Sequence, residues 1–219
     1  DSESMQGQGN GIRATTHSNG VWDARELGKA PLKFCDGSPE REITARHKSP
    51  NIGQVGVNVA ELGSEQVPYL RRNIGVVFQD FKLLPRRTVF ENVAFALRVT
   101  GAARSTIRRK VMQALELVGL LRRANSFPDE LSGGEKQRAC IARAIVNNPP
   151  ILLADEPTGN LDPTTSWDIL QLLDKINKRN TTVVVATHNK SIVDDMKRRV
   201  VAIENGRIVR DQLLGGYDV

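Results

Sequence analysis

Apolar residues recur with a regular period only after about residue 52. Val55, Val57 and Val59 alternate with polar positions, which predicts a short strand. Ser64 and Glu65 predict the start of a short helix ending at Arg72. Residues 74–78 read as a buried strand. Val89, Val93, Ala96 and Leu97 share one helical face, and Val111, Leu115 and Val118 share another within 107–120. Ser132 followed by Glu135 is a capping box and predicts a helix over 132–146. Residues 151–154 and 183–186 are uniformly apolar strands. Between them, Ile169, Leu170, Leu173 and Ile176 line a helix over 163–178. A short helix over 192–199 precedes a terminal hairpin, 200–203 and 208–210, turning at Asn205-Gly206. Strands apolar on both faces, alternating with helices, predict an α/β fold whose parallel sheet is covered on both sides.

Composition changes this picture at one point. Of the 219 residues, 39% are hydrophobic and 26% charged, as in a soluble globular chain. Residues 1–50 hold only 8 large apolar side chains, against 57 in 51–219. The head shows no sustained period of 2 or 3.6. It is also charge-balanced, so the net +6 belongs to the rest of the chain. The basic residues lie in short clusters without interleaved aromatics, so a nucleic-acid platform is not expected. Cys35 and Cys140 form neither a disulfide framework nor a CxxC pair. No apolar run is long enough to cross a bilayer. A cytoplasmic protein, reaching the membrane through a partner, is expected.

Three segments carry chemistry. In Leu131-Ser132-Gly133-Gly134-Glu135-Lys136-Gln137-Arg138, two glycines after a serine N-cap leave a helix N-terminus unshielded. Its N–H groups and dipole suit a phosphate. The apolar strand at 151–154 delivers Asp155 and Glu156 at its carboxyl end, where open α/β sheets place ligands. The first acid could hold Mg2+ and the second could deprotonate a water. The strand at 183–186 ends in Thr187-His188, whose imidazole could hydrogen-bond a terminal phosphate.

Leu-Ser-Gly-Gly-Glu, then Asp-Glu-Pro-Thr-Gly-Asn-Leu-Asp over 155–162, then Thr-His, resembles the ABC-transporter ATPases. Val76-Val77-Phe78-Gln79-Asp80-Phe81 supplies the Q-loop of that pattern. With Thr88-Val89-Phe90-Glu91-Asn92, it resembles the cell-division members of the family. The resemblance runs from about Gly53 to Val219. It implies a P-loop NTPase-like fold with a mostly parallel sheet, flanking helices and a helical subdomain at about 86–132. It implies ATP and Mg2+ as ligands and hydrolysis by in-line attack of water. Asp155 is then the magnesium acid, Glu156 the general base and His188 the switch histidine. Gln79 senses the metal and the attacking water. Ser132, Gly133, Gly134 and Gln137 face the nucleotide of the opposite subunit in a head-to-tail homodimer, and Asp162 meets that subunit. A transmembrane partner docks on the segment from Phe81 to Arg98, which places the complex on the cytoplasmic membrane face.

The family's phosphate loop, Gly-x-x-x-x-Gly-Lys-Ser/Thr, is missing from the expected place. Gly28-Lys29-Ala30 lacks the first glycine and the hydroxyl, and Gly37-Ser38-Pro39 lacks the lysine. No strand is expected before either. Neither Trp22 nor Phe34 is placed to stack on adenine. Residues 1–52 therefore read as an aberrant or disordered head, from a wrong reading frame or other damage. Without central strands from that head, the strands at 151–154 and 183–186 should lack neighbours. Two alternatives to a cell-division ATPase remain: the ATPase of a lipoprotein-release or macrolide exporter, and a degenerate, non-catalytic assembly subunit.

Overall fold

The computed structural model describes residues 13–17, 62–204 and 206–217, the first of these as backbone only. The strand expected at 55–59 and the head residues Trp22, Gly28, Lys29, Ala30, Phe34, Cys35, Gly37, Ser38 and Pro39 lie outside these. The chain divides into two compact units, Asn19–Asn73 and a second comprising Asp1–Ser18 with Ile74–Val219. In the first, helix α1 (Val67–Arg72) has Pro68 in its opening turn and closes on Arg71 and Arg72, with the Arg72 guanidinium 5.2 Å from the Tyr69 ring centre.

The second unit is a six-stranded sheet in the order β2-β3-β4-β1-β5-β6. Its strands are β1 (Arg13–His17), β2 (Ile74–Val77), β3 (Ile151–Asp155), β4 (Thr182–Ala186), β5 (Arg199–Glu204) and β6 (Arg207–Gln212). All pairings are parallel except the β5–β6 hairpin. The register aligns Val77 with Ala154 and Asp155 with Ala186, so β2, β3 and β4 end along one edge.

Strand β1 corrects two expectations. A strand does form in the composition-poor head, and β4 has neighbours on both sides, β3 and β1. Its sequence, Arg-Ala-Thr-Thr-His, lacks the large apolar residues that mark the other central strands. Its place is defined by backbone pairing.

Along β3 and β4, Leu152, Ala154, Val183 and Val185 are buried, while their alternate neighbours are half-buried. The buried face shares one core with α4 (Gly133–Ile145) and α5 (Pro163–Asn177) through Ala139, Ile141, Ile169 and Leu173. Each such large side chain contributes roughly 1.5–3 kcal/mol by leaving water.

Helices α2 (Val89–Val99) and α3 (Arg104–Leu117) pack with α4 as a helical layer. Thr88 and Glu91 form a reciprocal capping box at the start of α2. Behind it, the buried Asn92 amide ties down the preceding loop. It accepts the Leu84 N–H at 2.7 Å and donates to the carbonyls of Leu84, Arg87 and Thr88. Helix α6 (Lys190–Met196) links β4 to β5.

Candidate functional site

The site lies where β2, β3 and β4 end. Parallel strands that finish in register bring their following residues together, although these are far apart in sequence. Glu156 follows β3 in the left-handed region, at φ 44°. A non-glycine residue there is strained and needs surrounding contacts to hold it. Those contacts come from β4. The Glu156 N–H donates to the Ala186 carbonyl at 2.9 Å. The Glu156 carboxylate accepts the Thr187 hydroxyl on Oε2 at 3.3 Å. Its Oε1 accepts the His188 N–H at 2.9 Å and lies 2.5 Å from His188 Nδ1. Thr187 is buried, whereas His188 is exposed. Oε2 keeps a lone-pair direction for a further donor such as water.

Asp155 is half-buried beside this cluster, and no described residue donates a hydrogen bond to its carboxylate. Burial first, and then the neighbouring Glu156 charge, push its pKa above the usual range. A cation at Asp155 would relieve both effects.

Gln79 emerges from the end of β2 and is exposed. Its amide packs on the loop after Glu156. A Cβ at Gly159 would stand 2.9 Å from Gln79 Nε2, so only glycine fits without moving that amide. Asn160 donates to the Gln79 carbonyl at 3.4 Å. Two residues on, Phe81 and Lys82 are both left-handed, at φ 60° and 48°. Helix α4 holds this strained elbow. Arg143 donates to the carbonyls of Lys82 (2.6 Å) and Phe81 (3.1 Å), and the Cys140 thiol donates to the latter at 2.7 Å. Burial raises the Cys140 pKa to about 12, which keeps the thiol protonated as a donor.

The Ser132 turn opens α4. The Ser132 hydroxyl accepts the Glu135 N–H, and the Glu135 carboxylate accepts the Ser132 N–H at 2.9 Å. That bond first, and the Arg123 guanidinium 3.0 Å away, lower the Glu135 pKa. Gly134 lies against α5: a Cβ there would meet Thr165 Cγ2 at 2.5 Å. Asp162 is the N-cap of α5 and accepts the Thr165 N–H at 3.0 Å; the Thr165 side chain first, and then that N–H, lower its pKa. Gln137 is placed differently from the other residues of this turn. It is buried, and both its amide atoms lack a hydrogen-bond partner among the described residues.

The structure thus joins Glu156 with His188, and Gln79 with the loop at Gly159 and Asn160. It also sets Gly134 against Thr165. Thr187, Asn160, Cys140 and Arg143 were not singled out as site residues from the sequence. Their partners lie 31 to 81 positions away, beyond any local motif.

Comparison with known proteins decides the family. The ABC transporter family model matches residues 42–159, more than half of the chain. The chain belongs to the ABC transporter family. It is 58% identical over 212 residues to the cell division ATP-binding protein FtsE of Bacillus subtilis, covering 95% of this chain and 90% of that protein. It is 56% identical over 173 residues to the protein of the same name from Mycobacterium tuberculosis, covering 78% and 75%. Among solved structures, the dimeric bacterial ABC transporter cassette MJ0796 superposes with a TM-score of 0.71 at 31% identity, covering 95% of this chain and 88% of that one. The match to the B. subtilis relative extends into the first fifty residues, further than the resemblance read from motifs. Within an ABC cassette, the parallel strands and helices described above are the expected α/β architecture.

Proposed function

We propose that the chain is the ATP-hydrolysing subunit of a membrane ABC complex acting in cell division, in the manner of FtsE with an FtsX-like transmembrane partner. One observation carries the catalytic part: Glu156 is strained into a left-handed turn that delivers its carboxylate to Thr187 and His188, beside Asp155. The names of the two FtsE relatives support the cellular role.

The described residues fit part of a magnesium nucleotide site. Asp155 is a single carboxylate without a donor among the described residues, and Mg2+ characteristically takes one or two carboxylates and completes its shell with phosphates and water. Asp155 would hold the ion and Gln79 would approach it. Bound Mg2+ would supply charge neutralisation at the phosphates. Glu156 accepts the proton of an attacking water on its open lone pair. His188 presents its remaining ring nitrogen to a terminal phosphate. In a head-to-tail homodimer, the Ser132-Gly133-Gly134 turn faces the other subunit's nucleotide and Asp162 meets that subunit. Gln137 supports the turn from inside α4. The membrane partner docks along residues 81–98.

No phosphate-gripping loop is identifiable in residues 1–52, so this chain alone holds nucleotide weakly. Titration of the purified chain with a fluorescent ATP analogue and Mg2+ tests this, and micromolar binding would overturn it. Co-purification with a four-helix FtsX-like membrane protein tests the cell-division assignment. Capture instead by a lipoprotein-release or macrolide-export partner would move the chain to that class. The missing loop also supports a second reading, a non-catalytic assembly subunit. Normal division in cells carrying Glu156→Gln would favour it.

A further inference from the structure

We propose that Asp194, Arg210 and Tyr217 form a clasp that positions His188 through helix α6. The inference rests on reading His188 as the group that meets the terminal phosphate. Helix α6 has only seven residues and cannot hold itself by local hydrogen bonds. Its underside borders a small pocket whose lining includes Leu170, Val185, Ile192, Val193, Met196 and Arg198. Its C-cap, Lys197, is left-handed at φ 45° without being glycine. The helix therefore depends on anchors from outside.

Those anchors come from the segment after β6. Asp194 Oδ1 accepts the Tyr217 N–H at 2.6 Å. Arg210 reaches across from β6 and donates to the carbonyls of Gly216 (3.1 Å) and Tyr217 (2.6 Å). The Tyr217 side chain packs on Val193 and Val200. The Gly215 N–H donates to the Arg198 carbonyl at 3.2 Å. A Cβ on Gly216 would come within 2.9 Å of Asp194 Oδ1, so the segment lies close against the helix.

The other end of α6 is joined to the switch without a break. Asn189 is its N-cap and accepts the Ile192 N–H at 3.4 Å. The Asn189 N–H donates to Thr187 Oγ1 at 3.1 Å, and the same hydroxyl donates to Glu156. His188 lies between these two residues, and its hydrogen-bond partner is Glu156 rather than any residue of the clasp. Asp194, Arg210 and Tyr217 are thus positioning residues that act through the helix.

Amide hydrogen exchange on the full chain tests the clasp without nucleotide. The informative amides are those of His188, Asn189 and Ile192, each bonded within this network. In Asp194→Ala, Tyr217→Ala and Gly216→Ala, they should exchange at least ~10-fold faster, while α4 amides keep their protection and report an intact fold. Asp194→Asn keeps an oxygen for the Tyr217 N–H and should remain near the parent. Acceleration confined to 211–217 and the last turn of α6 would overturn the proposal, as would equal loosening in Asp194→Asn. The switch role is tested separately, by loss of hydrolysis in His188→Ala, so the two claims fail independently.

Discussion

Glu156 and Asp155 are adjacent carboxylates with opposite environments. Glu156 is held by donors from Thr187 and His188, whereas Asp155 has none among the described residues and is penalised by burial and by its neighbour. Their substitutions should therefore separate. Glu156→Gln preserves an oxygen for the His188 N–H but cannot take a proton from water. We expect phosphate release, measured for the chain with its membrane partner, to fall roughly 100-fold or more with little change in thermal midpoint. A Glu156→Gln rate within a few-fold of the parent would remove Glu156 from the mechanism. Asp155→Asn removes a destabilised charge. It should raise the midpoint by roughly 2 °C while abolishing hydrolysis, because stability and function are opposed at such a position. A lowered midpoint would show that the Asp155 charge has a stabilising partner.

At the scale of elements, α4 connects two parts of the site. Its first turn presents Ser132 and Gly133, and its Cys140 and Arg143 hold the Phe81-Lys82 elbow that follows Gln79. Two left-handed non-glycine residues in succession cost on the order of 1–2 kcal/mol each, and the Arg143 hydrogen bonds offset that strain. Arg143→Ala should release the elbow. We expect kcat to fall about 10-fold with a smaller change in KM, and the otherwise buried Cys140 to react faster with thiol reagents in a Cys35→Ser background. Unaltered Cys140 reactivity would show that the elbow holds without Arg143. The sequence revealed α4 itself because its signals are local: a serine, a glutamate three residues on, and an apolar face. The Arg143 bridge spans 61 positions and leaves no periodic trace. The same limit hid the meeting of Glu156 with His188, although each was singled out alone. Strand β1 escaped notice for a different reason. A central strand is held by its backbone ladder, and Arg-Ala-Thr-Thr-His carries no alternating large apolar residues to announce one.

Over the whole molecule, acid stability follows from where the carboxylates sit. Glu91, Glu135 and Asp162 each accept a backbone N–H at a helix start; those bonds lower the pKa values of Glu91 and Glu135, and the Thr165 side chain first, then its N–H, lower that of Asp162. A group whose folded pKa lies below its unfolded value stabilises fully above the unfolded pKa and loses that contribution as pH falls through the folded one. Asp155 acts in the opposite sense, because its raised pKa means that protonation relieves it. Among the described residues, three caps against one strained acid should make the chain less stable as pH falls below about 5, through the carboxylate range. Denaturant midpoints across that range check the direction. A midpoint that rises on acidification would place the control at Asp155 instead.

The position of β1 makes the first residues of the chain a condition for the site. Its backbone pairs with β4 on one side and β5 on the other, with Thr15 opposite Ala186 and Val201. Ala186 is also the residue whose carbonyl accepts the Glu156 N–H. A proline at position 15 would remove a ladder donor and place its ring inside the sheet, a location that proline avoids. A lost buried hydrogen bond costs about 1–3 kcal/mol. For a chain of this size, Thr15→Pro should lower the thermal midpoint by roughly 3–10 °C. Proline at Val209, which the register between β5 and the edge strand β6 skips, should cost less. Because Ala186 anchors Glu156, Thr15→Pro should also speed exchange at the Glu156 and His188 amides. An unchanged midpoint would show that the sheet closes on β4 without β1, and that the acid, histidine and glutamine are assembled by residues 74–217 alone.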